Sequence, residues 1–177
     1  MADLRSNIAL VGMPGAGKST IGVLLAKALA KDFVDTDVLI QRRAGCSLQQ
    51  IIDRDGYEAL QAIEREVLLD LACEQTVIAT GGSAVYARDA MQKLKRSSRT
   101  VFIDVPLTIL RERIHNMDSR GIVLKPGQDF DALFQERWTL YHELADISVM
   151  AGGHSQESAL ALIVDALQLK QNPTDPV

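Results

Sequence analysis

With 177 residues, 47% of them hydrophobic, the chain can bury one sizeable core and leaves little for a second, which implies a single domain over 1–177. A net charge of -4 and a pI near 5.4 exclude the broad basic surface that nucleic acid or anionic lipid requires, but still allow a small anionic ligand in a pocket built from a few Arg and Lys side chains. Two cysteines in no metal-ligand spacing, a polar segment from Met1 to Asn7 and apolar runs well short of the roughly 20 residues of a membrane span point to a soluble, cytoplasmic protein, and size alone to a monomer.

Asn7 to Val11 reads as a short apolar strand ending in a Gly-rich turn. From Lys18 to Ala30, Ile21, Leu24, Leu25, Ala28 and Leu29 recur at helical spacing. Phe33 and Val34 predict a second strand ending at Asp35, followed by a helix through Val38, Leu39 and Ile40. Ser47 is an N-cap candidate for the next helical stretch. Gly56 interrupts that stretch before an amphipathic run from Tyr57 to Cys73 that turns Leu60, Ile63, Val67, Leu68 and Leu71 inward. Thr76 to Ala79 predicts a third strand, Thr100 to Val105 a fourth and Ile147 to Met150 a fifth. Helices are predicted from about Leu107 to Ile114, up to Tyr141, and from Ser155 to Leu169, with a frayed tail over 170–177. Strands alternating with helices imply an α/β fold whose mostly parallel sheet is covered on both faces, with ligands gathered where strands end and helices begin.

Chemistry is densest in Gly12-Met13-Pro14-Gly15-Ala16-Gly17-Lys18-Ser19, which matches the G-x-x-x-x-G-K-[ST] phosphate loop and lies between a strand and a helix as that loop must. Its glycines let successive N–H groups of Gly15, Ala16 and Gly17 face one anion. Lys18 reaches the outer phosphates, the Ser19 hydroxyl meets Mg²⁺, and Thr20 touches the inner phosphates. The same loop serves switches, motors and kinases, so it leaves the phosphoryl acceptor open.

Asp35-Thr36-Asp37 at a strand end suits a metal ligand and a hydroxyl-orienting carboxylate, or else an N-cap pair for the following helix. Gly81-Gly82 alone is an ordinary turn, and Arg137 alone a surface arginine. Taken in order with the phosphate loop, Asp35-Thr36-Asp37, Thr80-Gly81-Gly82, Arg120 and Glu136-Arg137 resemble the shikimate kinases over nearly the whole chain. The resemblance implies a P-loop kinase with a five-stranded parallel sheet flanked by helices, a substrate-binding helical insertion over about 33–73 and a mobile lid over 115–127.

The resemblance further implies ATP as co-substrate and a small-molecule acceptor. Asp35 then helps hold Mg²⁺, and Asp37 grips ring hydroxyls and accepts the attacking proton. Gly82 brings the backbone against the acceptor, and Arg137 binds its carboxylate. The lid residue Arg120 reaches the transferring phosphoryl, and Arg113 stacks on adenine. The sequence departs from the family at Ser83, where a third glycine is usual, at Gly121 and Thr139, where proline is usual, and at Gln61. In the family, the register of Leu60-Gln61-Ala62-Ile63-Glu64 reads F-R-x-x-E, and its arginine is a second carboxylate anchor. A neutral amide supplies no charge there.

The leading expectation is phosphorylation of shikimate to shikimate 3-phosphate. A related hydroxy-acid or sugar-acid acceptor and a non-catalytic nucleotide-binding regulator are the alternatives. His115, His142 and His154 lack metal-ligand spacing and are read as surface or helix-end residues.

Overall fold

The computed structural model describes residues 5–114, 122 and 127–169. The expected lid residue Arg120, most of the 115–127 segment and the tail over 170–177 lie outside them. In chain order the described elements are β1 (Asn7–Val11), α1 (Lys18–Leu29), β2 (Asp32–Asp35), α2 (Thr36–Ala44), α3 (Leu48–Asp55), α4 (Tyr57–Asp70) and β3 (Thr76–Ala79). A short 3-10 turn (Ala84–Tyr86) leads into α5 (Arg88–Ser97), β4 (Ser98–Asp104), α6 (Leu107–Arg113), α7 (Phe130–Leu144), β5 (Ile147–Met150) and α8 (Gln156–Leu169).

The five strands form one parallel sheet, as expected, and their order is β2-β3-β1-β4-β5, so β1 and its C-terminal loop occupy the centre. β1, β3 and β4 are buried along their whole length, because each is covered on both faces by helices. Leu10, Ile78, Phe102 and Ile103 of these strands pack with Leu25 of α1, Met91 of α5 and Ile163 of α8 in the main core.

A second, smaller core of Ile40, Ile51, Leu60 and Val67 lies under α2, α3 and α4, the helices inserted between β2 and β3. Its helix boundaries follow local chemistry. The Ser47 hydroxyl accepts from the Gln50 amide at 3.2 Å, and the Gln50 side chain accepts from the Ser47 amide at 2.9 Å, a reciprocal cap that starts α3. Gly56, at φ 85°, ends α3 and lets α4 leave in a new direction.

Two expectations need correction. α4 stops at Asp70, so Leu71 lies beyond its end, and Ile63 is only half-buried while Leu60, Val67 and Leu68 are buried. α5 has no counterpart among the elements predicted from sequence. Its ten residues carry only Ala90, Met91 and Leu94 into the core, too short an apolar stripe to stand out among Arg88, Asp89, Lys93, Lys95 and Arg96.

Candidate active site

The loop between β1 and α1 curls because Gly15 and Gly17 take left-handed φ of 81° and 93°, values that side-chain-bearing residues rarely adopt. Gly17 is the N-cap of α1 and carries no side-chain cap, so the first amides of that helix remain available to an anion. The Lys18 ammonium folds back on the loop, donating to the carbonyls of Gly12 at 2.7 Å and Met13 at 2.9 Å. Burial lowers its pKa to about 8, with Asp37 opposing that shift and Arg137 adding to it. Ser19 and Thr20 are exposed at the start of α1.

A cavity of about 430 Å³ opens from this loop. Gly15, Gly17, Lys18, Ser19 and Thr20 of the loop line it together with Asp37, Leu60, Glu64, Gly82, Ser83 and Arg137. Asp35 and Asp37 have separate tasks. Asp35 caps α2, its Oδ1 accepting from the Asp37 amide at 2.9 Å, so the N-cap reading holds for it, while the Asp37 side chain faces the cavity. Desolvation raises the pKa of Asp37, Lys18 lowers it and Asp35 raises it further.

Arg137, on α7, is a buried cation and not a surface arginine, with 1% of its surface exposed. Its guanidinium lies 5.3 Å from the Tyr86 ring centroid, its Nε donates to the Tyr86 hydroxyl at 3.4 Å, and its Nη2 has no hydrogen-bond partner among the described residues. Arg137 lines the cavity, and a buried guanidinium there favours an anionic partner. The turn after β3 permits this closeness. A Cβ on Gly81 would stand 2.2 Å from Glu64 Oε1 and 2.8 Å from Asp37 Oδ1, and one on Gly82 2.8 Å from Pro14 and 3.2 Å from Arg137 Nη1. The Tyr141 hydroxyl donates to the Gly82 carbonyl at 2.7 Å, tying that turn to α7.

Gln61 does not line the cavity, and its amide donates to the Tyr57 hydroxyl at 2.7 Å. Glu64 does line it. It is 2% exposed, accepts from the Ser83 hydroxyl at 2.5 Å, and has its pKa raised to about 7 by burial, against the lowering effect of Ser83. The sequence reading left Glu64 out of the site. Its spacing from Leu60, Val67 and Leu68 puts a carboxylate on the inward stripe of α4, which is the signal that could have found it.

A carboxyl whose pKa is higher folded than unfolded stabilises the fold most below pH 4.5. That stability is lost as pH rises through about 7, by an amount on the order of 3 kcal/mol. Glu64→Gln is therefore expected to raise the denaturation midpoint of the nucleotide-free protein at pH 8 and to change it much less at pH 5, as urea titration at the two pH values would show.

A second cavity, of about 340 Å³, lies on the other side of the loop and is lined by Gly15, Ala16, Arg113, His154, Ser155 and Gln156 among others. The Arg113 guanidinium donates to the Gly15 carbonyl at 3.4 Å, which brings this side chain to the phosphate loop. The segment after β5, including His154, was not promoted from sequence. Its approach depends on α8 packing against α1 and β5, which spacing along the chain does not encode.

A parallel sheet with a phosphate loop at its centre, opening on a cavity that holds a carboxylate and a buried guanidinium, defines a P-loop phosphotransferase acting on a small acceptor. The shikimate kinase family model matches residues 14–168. The chain is 36% identical over 167 residues to a shikimate kinase of Methylococcus capsulatus, covering 93% of each, and 38% identical over 160 residues to one of Thermobifida fusca, covering 89% of this chain and 92% of the relative. The solved structure of a shikimate kinase from Acinetobacter baumannii in complex with shikimate aligns with a TM-score of 0.86 at 28% identity over 97% of both chains. The chain belongs to the shikimate kinase family, and it is an ATP-dependent kinase.

Proposed function

We propose that this kinase transfers the γ-phosphoryl group of ATP to a ring hydroxyl of shikimate, giving shikimate 3-phosphate. The observation that carries the reading is one cavity lined both by the residues of the phosphate loop and by the buried Arg137. That arrangement suits an acceptor with a carboxylate on one side and a hydroxyl on the other, aligned between a fixed charge and the donor.

In this mechanism the backbone of Gly15, Ala16 and Gly17, with Lys18 and Thr20, holds the triphosphate. Arg113 lies against the base. Arg137 grips the acceptor carboxylate, and Asp37 takes the proton of the attacking hydroxyl as its oxygen bonds to the γ-phosphorus. The bond from that phosphorus to the β–γ bridging oxygen breaks, and ADP leaves. Lys18, and Arg120 from the lid segment, counter the charge on the transferring group. The hard oxygens of Ser19 and Asp35 suit Mg²⁺; these residues would hold the ion, which would supply charge neutralisation at the phosphate oxygens.

A second acceptor, another small hydroxy acid, is favoured by Gln61, which turns to Tyr57 and leaves Arg137 as the cavity's guanidinium anchor among the described residues. Coupled ADP release with and without shikimate separates the two readings. Shikimate is expected to accelerate release, and an inert shikimate with tightly bound ATP would overturn the choice of acceptor. Gln61→Arg adds a charge beside the acceptor end and is expected to lower the shikimate KM by about tenfold, the worth of one charge-assisted hydrogen bond.

A further inference from the structure

Glu64 and Arg137 are opposite charges buried in the lining of one cavity, close enough that the guanidinium favours the charged form of the carboxyl. Buried opposite charges gain most by pairing directly, since water is absent and the attraction is weakly screened. Yet no ion pair within 4.0 Å joins them among the described residues, and Arg137 Nη2 is unpaired. What holds the carboxylate elsewhere is visible. Glu64 Oε2 accepts from the Ser83 hydroxyl at 2.5 Å, while Oε1 lies over Gly81, within 2.2 Å of where a Cβ would stand. The other charged or titratable groups acting on Glu64 are Asp37 of α2 and Lys18 of α1, and Glu64 in turn acts on Tyr141 of α7.

We propose that Ser83 is a positioning residue for acceptor specificity: its hydroxyl holds the Glu64 carboxylate away from Arg137, so that the guanidinium stays open to the acceptor's own carboxylate. The inference rests on the acceptor-site reading given above. Without the Ser83 hydroxyl, the Glu64 side chain is free to swing onto Arg137, and an anionic acceptor must then displace an internal carboxylate before it binds. Ser83 thus acts on acceptor affinity through Glu64 and touches no reacting atom.

The test uses Ser83→Ala, Glu64→Gln and the double variant in the full chain, with two readouts. At pH 8, where Glu64 is mostly ionised, Ser83→Ala is expected to raise the shikimate KM by about tenfold with kcat changed by no more than about twofold, the scale of one buried hydrogen bond. Adding Glu64→Gln removes the competing charge, and the double variant is expected to return to the KM of Glu64→Gln alone. The second readout is the carboxyl titration of Glu64, followed by ¹³C NMR in nucleotide-free protein. Pairing with Arg137 in Ser83→Ala moves it below the wild-type value of about 7, whereas loss of the hydrogen bond without relocation moves it up.

An unchanged KM in Ser83→Ala, a double variant as weak as Ser83→Ala, or an upward titration would each overturn the inference. Wild-type protein inert toward shikimate would overturn the acceptor assignment alone, and the titration would still decide the role of Ser83.

Discussion

Replacing Lys18 with Met is expected to reduce phosphoryl transfer at least about 1,000-fold, because the variant keeps the aliphatic stem and loses the charge that meets the developing negative charge on the transferring group. The structure makes this a clean test. The ammonium is buried in the cavity lining, and its hydrogen bonds among the described residues go to its own loop, to the carbonyls of Gly12 and Met13. Both bonds lie within the loop, whose curl rests on Gly15 and Gly17. The thermal midpoint of the nucleotide-free variant is therefore expected to stay within a few degrees of wild type. Steady-state ADP release gives the first quantity and calorimetry the second. Turnover within about tenfold of wild type would remove Lys18 from the mechanism and leave the loop as a binding element only.

The second large effect is expected at Asp37. Asp37→Asn should lower kcat by about 100- to 10,000-fold, the range over which a positioned general base contributes, and should leave the KM for ATP nearly unchanged. The two carboxylates of the strand-end motif separate here. The start of α2 is held by the Asp37 backbone amide donating to Asp35 Oδ1, and the Gln41 side chain donates to the Asp37 carbonyl, so a side-chain substitution at Asp37 leaves both bonds in place. An amide of the same shape still hydrogen-bonds a hydroxyl but does not take its proton at neutral pH. A loss confined to the acceptor KM, with kcat intact, would reduce Asp37 to a gripping residue and require another base.

The strand pattern, the phosphate loop and the order of the motifs were readable because each is a local feature. Alternation of short apolar runs with helical spacing fixes an α/β sheet, and a strand-loop-helix context fixes what G-x-x-x-x-G-K-[ST] does. Ser47, Gly56 and Asp35 were legible for the same reason, since caps and breaks depend on neighbours one to four residues away. α5 was not legible, because a ten-residue helix with three inward side chains gives too weak a periodic signal.

The chemistry of the acceptor end was decided by the tertiary structure. Glu64, Ser83 and Arg137 come from α4, the turn after β3, and α7, and nothing in their spacing shows that a hydroxyl holds one carboxylate or that a buried guanidinium nitrogen lacks a partner among the described residues. Gln61 illustrates the limit from the other side. The missing charge is legible in the sequence, but only the packing of α4 shows the Gln61 amide bound to the Tyr57 hydroxyl and absent from the cavity lining. Burial explains the difference. A charged group in water keeps nearly the same character whatever its neighbours, whereas Lys18, Asp37 and Glu64 take theirs from desolvation and from the charges around them, and that environment exists only once the helices have closed around the sheet.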